Sequence, residues 1–290
     1  MERDVCLIVN PHAGGGRASQ RLPAAEAAMR ARGLRFRVER TTSLDHAREL
    51  ARGARDHGEV AAAMGGDGLM GAVAGELCGS DGVLGVLPGG RGNDFARKLG
   101  ISEDTDVAVE LIAAGATRSI DVAFAGDRAF LGIASAGLDS DVQVIANATR
   151  LPLGDLVYVY GTLRALIGWK AATWTVTLDG EERRFRGYAV AVANSGVFGG
   201  GMRLVPDASL EDGRLDVVLT AESSRPHFLR GLIRTFRGAH LDDPTLTFLQ
   251  AREVSFHADR AFTAFADGDP IAALPATFRV VPRALRVLAP

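Results

Sequence analysis

Lysine and cysteine are almost missing from this chain of 290 residues. The two cysteines, Cys6 and Cys78, are too few for a disulfide framework or a cysteine-built metal site, and Cys6 lies in the apolar run Val5-Cys6-Leu7-Ile8-Val9. Both read as small core residues of a reducing compartment. The only lysines, Lys98 and Lys170, have neither a preceding glycine loop nor a following Ser or Thr, which excludes a P-loop ATPase. Long hydrophobic runs are missing too. Met1-Glu2-Arg3-Asp4 leads into only five apolar residues, so no signal peptide is read there. The longest uncharged stretch, Gly187 to Met202, is interrupted by Asn194, Ser195 and glycines, short of the roughly 20 apolar residues that span a bilayer. A cytoplasmic protein with at most peripheral membrane contact is expected. The net charge of −2 gives no electrostatic pull on nucleic acid, so none is expected as a partner. His12, His46, His57, His227, His240 and His257 show no metal-ligand spacing and read mostly as surface residues.

With 47% hydrophobic and 23% charged residues, the chain can bury a large core, and its length suggests two domains. Residues 1–124 alternate strand-like segments (Val5-Val9, Phe36-Arg40, Val60-Met64, Gly82-Leu87) with helical patterns (Ser19-Arg32, Leu44-His57, Leu69-Cys78, Asp94-Leu99). That βαβ order predicts an α/β domain with a mainly parallel sheet and loops gathered at the strands' C-terminal ends. Beyond Ile120-Asp121-Val122, β-branched and aromatic runs predict strands over Arg128-Ser135, Thr173-Leu178, Phe185-Ala193, Leu215-Thr220, Val254-His257 and Thr277-Val281. Helices are predicted over Asp155-Ile167 and Pro226-Arg237. Residues 125–281 therefore read as a β-rich, antiparallel, sandwich-like domain, and the absence of a linker or repeat predicts a close-set cleft between the two. An exposed sheet edge in the second domain leaves a homodimer open. Trp169 and Trp174, near Leu163-Leu166-Ile167, read as core packing ahead of a bilayer-facing role.

The most informative segment is Met64-Gly65-Gly66-Asp67-Gly68, between a strand and a helix. Its glycines admit a ligand close to the backbone, and the helix behind aims free N–H groups at it, which suits phosphate. Asp67 among them calls for a divalent cation in between, hence a metal–nucleotide complex; a ligand-free tight turn is the plainer reading. The formal G-x-G-x-x-G over Gly66–Gly71 lacks the acidic residue after the next strand, where Val86-Leu87-Pro88 stands, so a dehydrogenase is not expected. A second loop, Pro88-Gly89-Gly90-Arg91-Gly92-Asn93-Asp94-Phe95-Ala96-Arg97, again joins strand to helix. Asn93 or Asp94 is expected to cap that helix, and Arg91 and Arg97 to offer guanidinium groups to phosphate.

Taken in order, Val9-Asn10-Pro11, Gly65-Gly66-Asp67-Gly68, Pro88–Arg97, Gly199-Gly200-Gly201-Met202 with Pro206 and Asp212-Gly213, and Ala266-Asp267-Gly268-Asp269 resemble the bacterial diacylglycerol kinase and sphingosine kinase family, related at its nucleotide domain to NAD kinases. The resemblance runs from about residue 5 to 290. It implies an N-terminal α/β nucleotide domain, a C-terminal β-rich lipid domain, and a final segment, about 282–290, returning to the first. It implies ATP and Mg2+ as cofactors and a membrane lipid as substrate, diacylglycerol first, then a sphingoid base or other lipid alcohol. ATP is expected against Gly65, Gly66, Asp67, Gly68, Leu69, Met70 and Gly71, with further contacts near Asn10, Thr41 or Thr42, Arg91 and Asn93. The resemblance makes Asp269 the catalytic base, and Asp67, Asp94, Asp121 and Asp267 an acidic network around the catalytic magnesium. It assigns a structural magnesium to Ser209, Asp212 and Arg214, through one carboxylate and two carbonyls; a simple turn is the plain alternative.

Three positions depart from the family pattern. Leu69 and Arg91 replace hydroxyl-bearing threonines, and Asp269 replaces a glutamate, shortening the base by one methylene. An NAD kinase shares the first loop, but the Pro88–Arg97 and Gly199–Met202 segments resemble the lipid kinases specifically. A non-catalytic lipid or nucleotide sensor is the reading that Leu69 and Arg91 leave open.

Overall fold

The computed structural model describes residues 4–149 and 156–290. The first half runs β1 (Val5–Val9), α1 (Arg17–Ala31), β2 (Phe36–Arg40), α2 (Leu44–Asp56), β3 (Val60–Gly65), α3 (Asp67–Leu77), β4 (Val83–Pro88), α4 (Asp94–Lys98), α5 (Thr105–Ala114) and β5 (Thr117–Ala125). Strands β2, β1, β3 and β4 are parallel neighbours in that order. The runs of β1, β3 and β4 are fully buried and apolar on both faces, while β2 at the sheet edge alternates apolar and charged residues; the parallel order places every β-to-α loop at one edge. Local signals set the helices: Ser43 accepts the His46 N–H at the start of α2, whose Ala47, Ala51 and Ala54 form the buried stripe.

The second half continues with β6 (Arg128–Phe130), β7 (Ile133–Gly137), α6 (Leu138–Ala148), α7 (Leu156–Leu166), β8 (Ala172–Leu178), β9 (Glu181–Ala193), β10 (Val197–Phe198), β11 (Met202–Arg203), β12 (Leu215–Ala221), α8 (Arg225–Thr235), β13 (Leu246–Ala251), β14 (Glu253–Ala258), β15 (Thr263–Ala266), β16 (Asp269–Ala273) and β17 (Ala276–Leu288). Its ladders are antiparallel around a core where Trp174 stacks on Phe185 and Phe262, and Phe256 on Phe278. Trp174 is thus core, and Trp169 tilts against Phe262 at the edge of that stack.

Strand β17 joins the halves. It pairs antiparallel with β14 and β5, and near its end parallel with β4, Arg286 opposite Val83. A shift in register between Val281 and Leu285, with Arg283 at φ 50°, carries it past Pro282. The sequence predicts an end at Val281, because proline and arginines interrupt the apolar run there. It also predicts one strand over Arg128–Ser135. The ladder breaks at Leu131 and Gly132 because their N–H groups go instead to the Asp267 carboxylate. Helices α5 and α6 and strand β13 are additions that the sequence patterns do not predict. The predicted helix over 155–167 starts, at Asp155, outside the described residues. Cys6 is buried as expected and Cys78 only partly. His240, expected near the surface, is fully buried with Nε2 against the Leu204 carbonyl. Among the described residues, no helix is long and apolar enough to cross a membrane.

Candidate functional site

Three glycine-rich turns meet at the C-terminal edge of the parallel strands by direct backbone contact. A Cβ on Gly90 would stand 2.5 Å from the Gly66 Cα, and one on Gly14, at φ 61°, would stand 2.6 Å from the Gly89 carbonyl. No side chain fits at either place, so glycine here is a packing requirement as well as a ligand signal.

Asp67 opens α3 and ties the loop after β3 to the loop after β4. Its Oδ1 accepts the Phe95 N–H at 3.0 Å and its Oδ2 the Asp94 N–H at 3.2 Å, so this carboxylate caps α4. The expected cap residues do otherwise. Asn93, in the left-handed region at φ 51°, turns its Oδ1 back to the Gly90 N–H at 2.8 Å. Asp94 reaches across to the second half: its Oδ2 accepts the Gly200 N–H at 2.9 Å while Arg97 holds Oδ1 at 2.5 Å. Asp267, in the left-handed region at φ 53°, accepts the Leu131 and Gly132 N–H groups, each at 3.0 Å. Asp269 lies over the loop after β3, where a Cβ on Gly68 would stand 2.6 Å from its Oδ2.

These carboxylates disturb one another. Burial pushes Asp267 up to about 8, and the neighbouring charges of Asp67 and Asp94 add to the rise against the two N–H groups that oppose it. Burial likewise raises Asp94 to about 6, with Asp67 contributing, and raises Asp67 itself. Asp269 is raised by burial and held back by the Arg128 guanidinium. Mutually repelling carboxylates beside phosphate-sized glycine turns form a donor set that fits a hard divalent cation. Among the described residues no three acidic, imidazole or thiolate groups form a metal cage by themselves.

A cleft of about 440 Å³ opens over this cluster. Asn10, Gly66, Asp67, Gly68, Leu69 and Arg91 line it, as do Asp94, Asp267 and Asp269. Its other part is largely apolar, with Ile133, Val142, Phe198, Phe228, Leu232 and Phe265. Gly90, Gly92, Phe95, Gly199, Gly200 and Met202 also line it, whereas the remaining residues expected to contact ATP lie outside its lining. Gly65 ends β3 and Met70 is buried in the core. Gly71 packs near Asp267 behind the cleft, and Asn93 supports the loop after β4 from within. Thr41 is buried with its N–H on the Val9 carbonyl, and Thr42 faces His46.

Asp121 is not brought to the acidic cluster. It is fully buried, and its carboxylate accepts the Gly213 N–H at 2.6 Å and the Arg283 N–H at 2.7 Å, fixing the turn before β12 and the irregularity in β17. The Ser209–Arg214 loop lies beside it. There Asp212 Oδ1 accepts the Arg214 N–H, the plain turn, and Ser209 Oγ accepts the Glu211 N–H. Nearby, Asp216 Oδ2 is buried without a hydrogen-bond partner among the described residues, and burial together with Asp212 and Asp207 raises Asp216. The half-buried Lys98 ammonium, which donates to the Ala208 carbonyl, lies among these carboxylates and partly offsets their charge. Sequence reasoning missed Ser135 and Asp139, which line the apolar part of the cleft, because neither belongs to a glycine motif.

The diacylglycerol kinase catalytic domain family matches residues 4–125, and the YegS C-terminal NAD kinase beta sandwich-like domain family matches residues 132–289. A diacylglycerol kinase of Mycobacterium tuberculosis is 32% identical over 99% of this chain and 95% of its own. One of Bacillus subtilis is 30% identical over 79% of this chain and 77% of its own. The crystal structure of a diacylglycerol kinase from Bacillus anthracis shares the fold, with a TM-score of 0.81 at 21% identity over 99% of this chain and 97% of that one. With both halves matched and a relative this similar along nearly its whole length, the chain belongs to the diacylglycerol kinase family of lipid kinases.

Proposed function

We propose that this protein transfers the γ-phosphate of ATP to the hydroxyl of a membrane lipid, with diacylglycerol as the reference acceptor. The observation that carries the reading is the two-sided cleft, with glycine turns and carboxylates on one side and apolar side chains on the other. The turns around Gly66, Gly68 and Gly90 receive the polyphosphate, with Asn10 and Arg91 at its flanks. Arg91 offers charge where a hydroxyl would offer one hydrogen bond. Leu69 offers neither, and its side chain packs under Gly65 instead.

Asp67, Asp94 and Asp267 are the residues that would hold Mg2+, which supplies neutralisation of phosphate charge when bound. Asp269 accepts the proton as the lipid oxygen forms its bond to the γ-phosphorus and the bond to the β-phosphate oxygen breaks, releasing ADP. Near Asp121, Asp212 and the carbonyls of Ser209 and Arg214 are the proposed second Mg2+ position, with a structural role.

The lipid enters from the side of α7 and α8. Leu163, Ile167, Ile233 and Phe236 are exposed there, and Phe236 also lines the cleft. Arg164 and Arg230 flank them on the same helices, while Arg234 is paired with Asp242, so the face suits the surface of an anionic membrane. The test supplies Mg2+ and ATP with a panel of dispersed membrane lipids and follows phosphorylated lipid by mass spectrometry. A phospholipid product that depends on both ATP and Mg2+ supports the reading. ATP bound without turnover across the panel contradicts it.

A further inference from the structure

The proposed base sits on a strand that its own ladder holds weakly. Ala266 and Asp269 face each other across a tight hairpin whose central residues, Asp267 and Gly268, lie at φ 53° and 93°. Strand β16 is the outermost of its sheet and, among the described residues, pairs only with β15. Directly after Asp269 that pairing falters. Pro270 has no N–H to donate, and the register passes over Ile271, with Phe265 opposite Pro270 and Ala264 opposite Ala272.

Arg128 supplies what the ladder lacks. From β6 its Nη1 donates to the Pro270 carbonyl at 2.8 Å and, at a longer 3.4 Å, to the Ile271 carbonyl, so one guanidinium spans the irregularity. A few residues on, the Leu131 and Gly132 N–H groups hold the Asp267 carboxylate. Residues 128–132 thus grip the hairpin twice, through the backbone at Asp267 and through a side chain just past Asp269. The same segment packs on α3, the helix that opens at Asp67. A Cβ on Gly75 would stand 3.0 Å from that of Ala129, and one on Gly71 3.4 Å from the Ala129 carbonyl. Seated there, β6 is a fixed support from which Arg128 sets where β16 stands relative to Gly68, over which Asp269 lies.

We infer that Arg128 is a positioning residue for the phosphoryl transfer: its guanidinium, carried by β6, holds the β16 carbonyls so that Asp269 stays over the Gly68 loop. The inference rests on the lipid kinase reading, because Arg128 acts through the proton acceptor that this reading assigns. Arg128 lies outside the lining of the cleft, in a small cavity behind it that Arg48, Gly68 and Asp269 also line. Of the two guanidinium groups there, Arg128 bonds the strand, whereas Arg48 pairs with Asp45 on its own helix.

The test measures kcat and KM per folded molecule, with Mg2+, labelled ATP and the lipid that the unaltered protein phosphorylates best. Arg128→Ala should lower kcat about 10–100-fold and leave the KM for ATP within about twofold, since a displacement of about 1 Å at a reacting group costs on the order of 100-fold. Arg128→Lys, which keeps a donor for the Pro270 carbonyl, should recover most of that loss. The deciding readout is a double variant. In an Asp269→Asn background, adding Arg128→Ala should cost less than about threefold, whereas a residue serving only the fold costs the same factor in both backgrounds. Arg48→Ala, which removes a guanidinium from the same cavity without touching β16, should keep kcat within about twofold. Full kcat in folded Arg128→Ala, losses that multiply in the double variant, or an equal loss in Arg48→Ala overturns the inference and leaves the kinase reading standing. Failure of both Arg128 variants to fold overturns it too, by making Arg128 a residue of the fold. No turnover of any lipid by the unaltered protein sinks the kinase reading and this inference together.

Discussion

Asp67 and Phe95, 28 residues apart in the chain, are joined by a 3.0 Å hydrogen bond from the Phe95 N–H to the Asp67 carboxylate. The residue proposed to meet the metal-bound nucleotide therefore also positions the second glycine loop. Asp67→Ala should lower activity by at least about 100-fold and destabilise the fold by about 1–3 kcal/mol, because the Asp94 and Phe95 N–H groups lose their partner. Steady-state kinetics and denaturant unfolding check this. Full activity in Asp67→Ala would remove the metal role.

Asp121 should behave in the opposite way. Its two backbone hydrogen bonds hold the turn at Gly213 and the register shift at Arg283, and it stands outside the cleft. Asp121→Ala should cost about 2–4 kcal/mol of stability while the folded fraction keeps its kcat within a few-fold. Activity measured per folded molecule, well below Tm, separates the two effects.

Asp269 tests the proton acceptor. Asp269→Asn should reduce kcat by about 100-fold or more with little change in the KM for ATP. Asp269→Glu, although it restores the residue type of the family pattern, should also lower kcat. The present carboxylate already lies against Gly68, and a displacement of about 1 Å costs on the order of 100-fold. A faster Asp269→Glu enzyme would show that the cleft has room for the longer base.

The acidic cluster gives stability a definite pH slope. Asp267, raised to about 8, and Asp94, raised to about 6, bind protons more tightly in the folded chain than in the unfolded one. Their contribution is complete below about pH 4 and is lost as pH rises through about 6 for Asp94 and about 8 for Asp267. In metal-free buffer, Tm should therefore fall between about pH 5 and 9, and Asp267→Asn should flatten the upper part of that fall. Mg2+ with ATP should raise Tm more at about pH 8.5 than at about pH 6.

Much of the nucleotide half was legible because its signals are local. Five apolar residues followed by Asn10-Pro11, or a strand followed by Gly65-Gly66-Asp67-Gly68, fix both an element and its end. What escaped the sequence depends on distant partners. Whether Asp121 serves catalysis or the fold is decided by Arg283, far along the chain, and whether Asn93 or Asp67 caps α4 is decided by how two loops pack. Asp139 was hidden for the same reason: its place follows from Gly137, at φ 120°, where a Cβ would stand 2.3 Å from the Tyr188 carbonyl on β9, and which sends β7 straight into α6 without a loop.

The most direct measurement follows label from γ-labelled ATP into lipid, in parallel for the unaltered protein, Asp67→Ala, Asp269→Asn and Asp121→Ala, each shown to be folded. Label should reach lipid with the unaltered protein and, per folded molecule, with Asp121→Ala, and should fall at least about 100-fold in the other two. Equal labelling by all four proteins, or none by the unaltered one with any lipid, would contradict a reaction centred on the cleft between Asp67 and Asp269.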